Sequence, residues 1–115
     1  MSEDCIFCKI AAGEAPADMV HQEEEFVAFR DILPQAPIHI LVIPRTHITS
    51  SADLTEGQEW LAGRLITIAK SLAEKEGIAD RGYRLVVNCG SEGGQQVPHL
   101  HLHLIGGRKL SGSLG

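Results

Sequence analysis

The run Pro98-His99-Leu100-His101-Leu102-His103-Leu104-Ile105-Gly106-Gly107 constrains this chain more than any other stretch. Histidine stands at positions 99, 101 and 103, with leucine after each. Strict alternation of polar and apolar residues is the pattern of a strand buried on one side. Side chains two apart on a strand point to the same face. The run therefore predicts a strand with His99, His101 and His103 lining one face and Leu100, Leu102 and Leu104 the other. At ~3.3 Å per residue, the outer imidazoles would stand ~13 Å apart.

Such a strand needs neighbours and a cover for its leucines. Met19-Val20-His21 and Phe26 to Asp31 read as two strands of a hairpin, turning at Glu23-Glu24-Glu25. The acidic run reads as a solvated turn and His21 as a surface strand residue. Ile38 to Pro44 is almost wholly apolar, which predicts a central strand covered on both faces. His39 within it reads as a satisfied core histidine. Tyr83 to Asn88 is a fourth strand, and the histidine run is the fifth. From Thr55 to about Glu76, Trp60, Leu61, Leu65, Ile68, Ala69, Leu72 and Ala73 recur at helical spacing. Gly77 is placed to cap that helix, and Gly63 within it suggests a close contact. Cys5 to Ala12 predicts a short helix or knuckle, ended by the breakers Gly13 and Pro16.

The chain has 115 residues, 43% hydrophobic and 22% charged, enough for one compact domain with a core. A net charge of -5 argues against binding a nucleic-acid polymer, which needs a basic footprint. It leaves a nucleotide-sized ligand open. No apolar run approaches the ~18 residues of a membrane span. Met1-Ser2-Glu3-Asp4 is acidic and is followed by no signal-peptide core. The expectation is a cytoplasmic protein without membrane contact. Three cysteines are an odd number and suggest no disulfide framework.

Several residue groups are candidates for chemistry. Cys5 and Cys8 are spaced C-x2-C, which lets two thiolates converge on a tetrahedral metal. The same pair also reads as two reduced, half-buried cysteines or as a redox couple. Asp31 precedes a loop fixed by Pro34 and Pro37. It either caps that turn or accepts hydrogen bonds from a pair of ligand hydroxyls. His47 lies just past the central strand, where loops carry sites. Cys89 to Val97 is a glycine-rich loop without the pattern of a P-loop. It is an ordinary connection or a cradle of backbone N–H groups for an anion. Cys89 reads as a free thiol. The histidine row itself suits three chemistries. One is a metal hydrolase, although the ~13 Å span resists one shared ion. Another is a buried structural network, in which each ring nitrogen needs a partner. The last is nucleophilic catalysis, with a neutral imidazole attacking an electrophile.

His99-Leu100-His101-Leu102-His103-Leu104-Ile105 resembles the motif that names the histidine triad family. The likeness continues through Phe29 to Pro37, similar to a ribose-binding segment, and His39 to His47, similar to the family's central strand. Gly82 to Asn88, Gly93 to Gln95 and the ending His103 to Arg108 also fit. The last of these looks like the branch of small nucleotide-binding, phosphoramidase-type proteins. The resemblance spans Cys5 to Arg108. It implies an α+β fold: a single domain over residues 1–115, with an antiparallel five-stranded sheet, one long helix and a short N-terminal helix.

It also implies roles. His101 would be the nucleophile on the α-phosphorus of a purine nucleoside phosphoramidate, forming a transient nucleotidyl-histidine. His103 would bind phosphate oxygens. The His99 carbonyl would fix the tautomer of His101, and His39 would pack near it. Asp31 would hold the ribose, with Ile32 and Phe29 beside the sugar and base. Asn88, Gln96 and the backbone of Val97 would lie at the phosphate and leaving group. Cys5, Cys8, His47 and His99 would hold one structural zinc per chain. A homodimer joined through the long helix and fourth strand is implied as well. The same resemblance admits a dinucleoside polyphosphate hydrolase, or a nucleotide-binding interaction module with incidental turnover. The chain departs from the pattern twice. Position 96 is Gln, where many relatives carry Ser or Thr, and the tail lacks an aromatic, proline-rich ending.

Overall fold

A computed structural model of the protein describes residues 4–113. The acidic start Met1 to Glu3 and the last two residues of the polar tail, Leu114 and Gly115, lie outside the described residues.

Five strands form one antiparallel sheet: β1 (Met19–Gln22), β2 (Phe26–Arg30), β3 (Ile38–Pro44), β4 (Tyr83–Val86) and β5 (Leu102–Gly106). Their order across the sheet is β1-β2-β3-β5-β4. The short helix α1 (Ile6–Ala11) precedes the sheet, and the long helix α2 (Glu59–Lys75) crosses it between β3 and β4. Among the described residues no helix is long and apolar enough to cross a membrane.

The period-two geometry of the strands sorts the side chains between the two covers. Ile40 and Val42 of β3 and Leu102 and Leu104 of β5 point to the α2 side. There they pack with Leu61, Leu65, Ile68, Ala69, Leu72 and Ala73 of the helix. Leu41 and Ile43 point the other way, onto Phe7, Cys8, Ile10 and Ala11 of α1. The central strand is thus buried on both faces, as its composition predicts. Its register sets Leu41 opposite His103 and His39 opposite Ile105. His39 and His103 are therefore diagonal neighbours on the α1 face, the face that carries the site.

Several boundaries differ from the sequence reading. The fifth strand begins at Leu102, not at the first histidine. Pro98 has no N–H to give a ladder. The Leu100 N–H bonds to the Ile48 carbonyl (2.6 Å), and the His99 ring, not a backbone N–H, takes the Pro44 carbonyl (2.8 Å). The alternation survives outside the ladder, because Leu100 still joins the α2-side core. The fourth strand ends at Val86, and the Asn88 amide turns into the following loop to donate to Gly93 O (2.8 Å). Residues Glu56–Gln58 form a 3-10 turn before α2 begins at Glu59.

Trp60 is not part of the buried stripe. It sits in the first turn of α2, 52% exposed, with its ring edge-on to Phe26. Gly63 makes no close contact within the chain, since a Cβ there would meet nothing within 4 Å. Glu23 is more than a solvated turn residue. It accepts from Arg64 Nη2 (2.7 Å) and Nε (3.1 Å) of α2 and pairs with His21 Nε2 (2.6 Å), tying the hairpin turn to the helix.

Candidate functional site

A cleft of about 450 Å³ opens on the α1 side of the sheet. Asp31, His39, His101, His103, Asn88, Gln96 and Val97 line it, together with Phe7, Leu33, Gln35, Leu41 and Gly94. These residues come from five separate segments, which β3 and β5 hold together from below. Three anticipated nucleotide-site or triad residues lie off the lining. Phe29 is buried behind Phe7, ring centroids 5.4 Å apart, and Ile32 projects into solvent, 89% exposed, on the loop after Asp31. His99 also lies off it, turned toward the cysteines. Phe7 was hidden inside the C-x2-C motif. Leu41 is detectable only as the residue two positions from His39 on the same face.

The hydrogen bonds fix which nitrogen of each ring carries a proton. His101 Nδ1 lies 2.7 Å from the His99 carbonyl. A carbonyl only accepts, so Nδ1 bears a hydrogen, and in the neutral ring the lone pair is on Nε2. His39 is oriented the opposite way. Its Nδ1 accepts the Gln35 backbone N–H (3.0 Å), so its proton is on Nε2, which donates to His103 Nδ1 at 2.9 Å. His103 in turn carries its proton on Nε2. Two imidazoles with ring centroids 5.0 Å apart thus have opposite tautomers: His101 offers an electron pair at Nε2, and His103 offers an N–H.

Electrostatics hold this pattern in place. Burial pushes the His103 imidazole down to about 4, and the adjacent His101 and His39 rings push in the same direction. His39 is also lowered, mainly by burial, with the Asp31 carboxylate working against it. Asp31 caps its turn and also reaches the cleft. Oδ1 accepts the Leu33 N–H (2.9 Å) and caps the turn, while Oδ2 stands 3.5 Å from His39 Nε2 in the cleft wall. Every buried side-chain nitrogen and oxygen among the described residues has a partner.

Beside the cleft, Cys5, Cys8, His47 and His99 bring their ligand atoms within 4.8 Å of one another. Cys5 Sγ lies 3.3 Å from His99 Nδ1, and Cys8 Sγ lies 3.3 Å from His47 Nδ1 and 3.5 Å from His99 Nδ1. A tetrahedral zinc with ordinary Zn–S and Zn–N bonds sets sulfur and nitrogen about 3.6 Å apart. The tautomer also suits a metal. His99 Nε2–H donates to the Pro44 carbonyl, leaving Nδ1 unprotonated and aimed at the thiols. The donor set therefore fits a closed metal site. Asp31, His39 and His103 also gather within 4.8 Å. That group fits a metal poorly, because His39 Nε2 is the protonated nitrogen and offers no lone pair.

Residues 12–110 match the family model described as HIT domain. The chain belongs to the HIT domain family. Among HIT relatives, the Escherichia coli K12 protein named purine nucleoside phosphoramidase is 51% identical over 110 residues, covering 96% of this chain and 92% of its own. A HIT family hydrolase from Legionella pneumophila, of known crystal structure, is 48% identical with a TM-score of 0.95. It covers 97% of this chain and all of its own. A histidine triad protein from Clostridium difficile superposes with a TM-score of 0.96 at 40% identity, 98% of each chain being covered. These HIT structures share the five-stranded antiparallel sheet and its helices. The Cys/His cluster is the feature expected of a HIT protein that carries zinc.

Proposed function

We propose that the chain is a hydrolase of purine nucleoside phosphoramidates, cleaving the P–N bond through a nucleotidyl intermediate on His101. The observation that carries this reading is the 2.7 Å contact of His101 Nδ1 with the His99 carbonyl, in a ring that lines the cleft. It puts the lone pair of the neutral ring on Nε2, the nitrogen that attacks. The kinship to a phosphoramidase supports the substrate class.

In this reading Asp31 accepts hydrogen bonds from the ribose hydroxyls, Ile32 stands at the rim beside the sugar, and Phe29 backs Phe7 from behind the cleft wall. His101 Nε2 attacks the α-phosphorus. The P–N bond breaks, and its electron pair leaves with the amine, which takes up a proton from solvent. His103 Nε2–H donates to a non-bridging oxygen as negative charge builds there. Asn88, Gln96 and the backbone at Val97 border the phosphate and leaving group. Gln96 can donate a hydrogen bond but cannot relay a proton as a hydroxyl does. Water then attacks phosphorus and gives up a proton to solvent, the P–Nε2 bond breaks with its electron pair returning to His101, and the nucleoside monophosphate leaves.

Cys5, Cys8, His47 and His99 would hold one zinc per chain. The bound ion would supply a closed structural tie between α1 and the sheet. Two copies of the chain would pair through β4 and α2. The exposed edge of β4, the half-exposed Ile66 of α2 and the open space over Gly63 support that pairing. Reduced thiols at the cluster fit a cytoplasmic setting.

Steady-state release of AMP from adenosine phosphoramidate, by the wild type and by His101→Ala, tests the reaction. The wild type should turn over and the variant should lose at least about a thousandfold in kcat. No turnover with several phosphoramidates, or a fully active variant, refutes the assignment. A diadenosine polyphosphate run alongside should be the poorer substrate. Elemental analysis should find about one zinc per chain, lost in Cys5→Ser, and sedimentation should give the mass of a dimer.

A further inference from the structure

His99 belongs to two sites at once. Its ring Nδ1 faces the sulfurs of Cys5 and Cys8, at 3.3 and 3.5 Å, while its carbonyl receives the Nδ1–H of His101 at 2.7 Å. A rotation of the residue that breaks one contact disturbs the other. A second link runs through α1. Phe7 lies between the two cysteines in sequence, and its ring is edge-on to His101 (5.1 Å) and His99 (6.0 Å) while also lining the cleft. The cysteines set its position. Cys5 caps α1 by accepting the Cys8 N–H on sulfur at 3.3 Å. A third link is the segment Gln96–Val97. It lines the cleft on one side and, on the other, a hollow of about 310 Å³ bordered by Cys5 and His47.

We propose that metal occupancy of the Cys5–Cys8–His47–His99 cluster is energetically coupled to nucleotide occupancy of the cleft. The cluster thereby acts as a positioning device for His101 and Phe7 as well as a tie for the knuckle. This inference rests on the nucleotide and zinc readings given above. Coupling between two sites is reciprocal. If zinc tightens nucleotide binding by some factor, nucleotide tightens zinc binding by the same factor. The geometry favours the positive sign, since four fixed ligands hold the His99 carbonyl and the Phe7 ring where the folded cleft needs them. The hollow beside Cys5 and His47 gives a chelator a route to the cluster.

The test uses the full chain, zinc-loaded and chelator-stripped, at a temperature where circular dichroism shows both forms folded. Calorimetry measures AMP affinity in each form. A competing chelator measures zinc affinity with and without AMP. Both ratios should be on the order of tenfold and equal. Phe7→Leu keeps all four ligands and should bind zinc as tightly as the wild type while shrinking the ratio. Cobalt-substituted protein gives a reading independent of stability, since its visible absorption bands should shift when AMP is added. Equal AMP affinity in both forms with unmoved cobalt bands overturns the coupling and leaves the nucleotide reading standing. No AMP binding in either form overturns the nucleotide reading and the coupling with it. Failure to retain zinc or cobalt overturns the metal reading and the coupling together.

Discussion

Acidifying the protein from pH 7 to pH 5 should cost the wild type stability that His103→Asn does not lose. The His103 imidazole is held at about 4 by burial and by its His101 and His39 neighbours, against 6.5 for an ordinary histidine. A depressed histidine pKa means that the unfolded chain takes up the proton first. Stability is complete above the ordinary value and falls as pH drops from about 6.5 toward 4. At pH 5 nearly all unfolded molecules carry this proton and nearly all native ones do not, which amounts to about 2 kcal/mol against folding. At pH 7 the same difference is about 0.2 kcal/mol. Asparagine cannot titrate, and its Oδ1 can accept the His39 Nε2–H as His103 Nδ1 does. Subtracting the variant's pH profile from that of the wild type therefore reports His103 together with its coupling to His39 and His101. Urea unfolding of both proteins at pH 7, 6 and 5 measures it, with equal m-values required for the comparison. The stability gap should move by about 2 kcal/mol in favour of the variant by pH 5. Parallel profiles would show that His103 already carries a proton or is solvated near neutrality. The N–H donor role argued for it would then rest on the wrong charge state.

Three further outcomes follow from other parts of the molecule. Leu104→Ala, at a fully buried site between β3, β4 and α2, should destabilise by about 3 to 5 kcal/mol in denaturant titration, and a loss under about 1 kcal/mol would contradict the core assignment. Arg64→Ala removes both Arg64 contacts to Glu23, yet the Arg64 side chain is solvent-exposed, so the shift in the urea midpoint should be small and should vanish in high salt. Gly107→Ala places a methyl 3.0 Å from Pro37 Cβ at a φ of +96°. It should lower stability by about 1 to 2 kcal/mol. By pushing on the loop that carries Asp31 and Gln35 it should weaken AMP binding in calorimetry more than it changes kcat.

Much of the fold is legible in the sequence because strand parity and helix period are properties of single segments. Leu100, Leu102 and Leu104 read as one buried face and are one, and the α2 stripe from Leu61 to Ala73 packs as its spacing requires. Trp60 fails the same reading because periodicity cannot tell a helix's first turn, at the rim, from its middle. The start of β5 fails for a different reason. A local pattern cannot reveal that the Pro44 carbonyl, 55 residues away, is taken by a side chain rather than by a backbone neighbour. Within the site, the kinds of residue are visible but their protonation is not. The tautomers of His39 and His103 follow from a backbone N–H at Gln35, and that of His101 from a backbone carbonyl at His99. Every residue but proline has that N–H and every residue has that carbonyl, so no letter of the sequence marks them. The histidine row looks like three equal imidazoles. Main-chain groups make them unequal: one ring turned to sulfur, one with a bare electron pair and one with a hydrogen to give. That inequality is what a nucleophile beside an oxyanion donor requires. It is a product of the fold rather than of the motif.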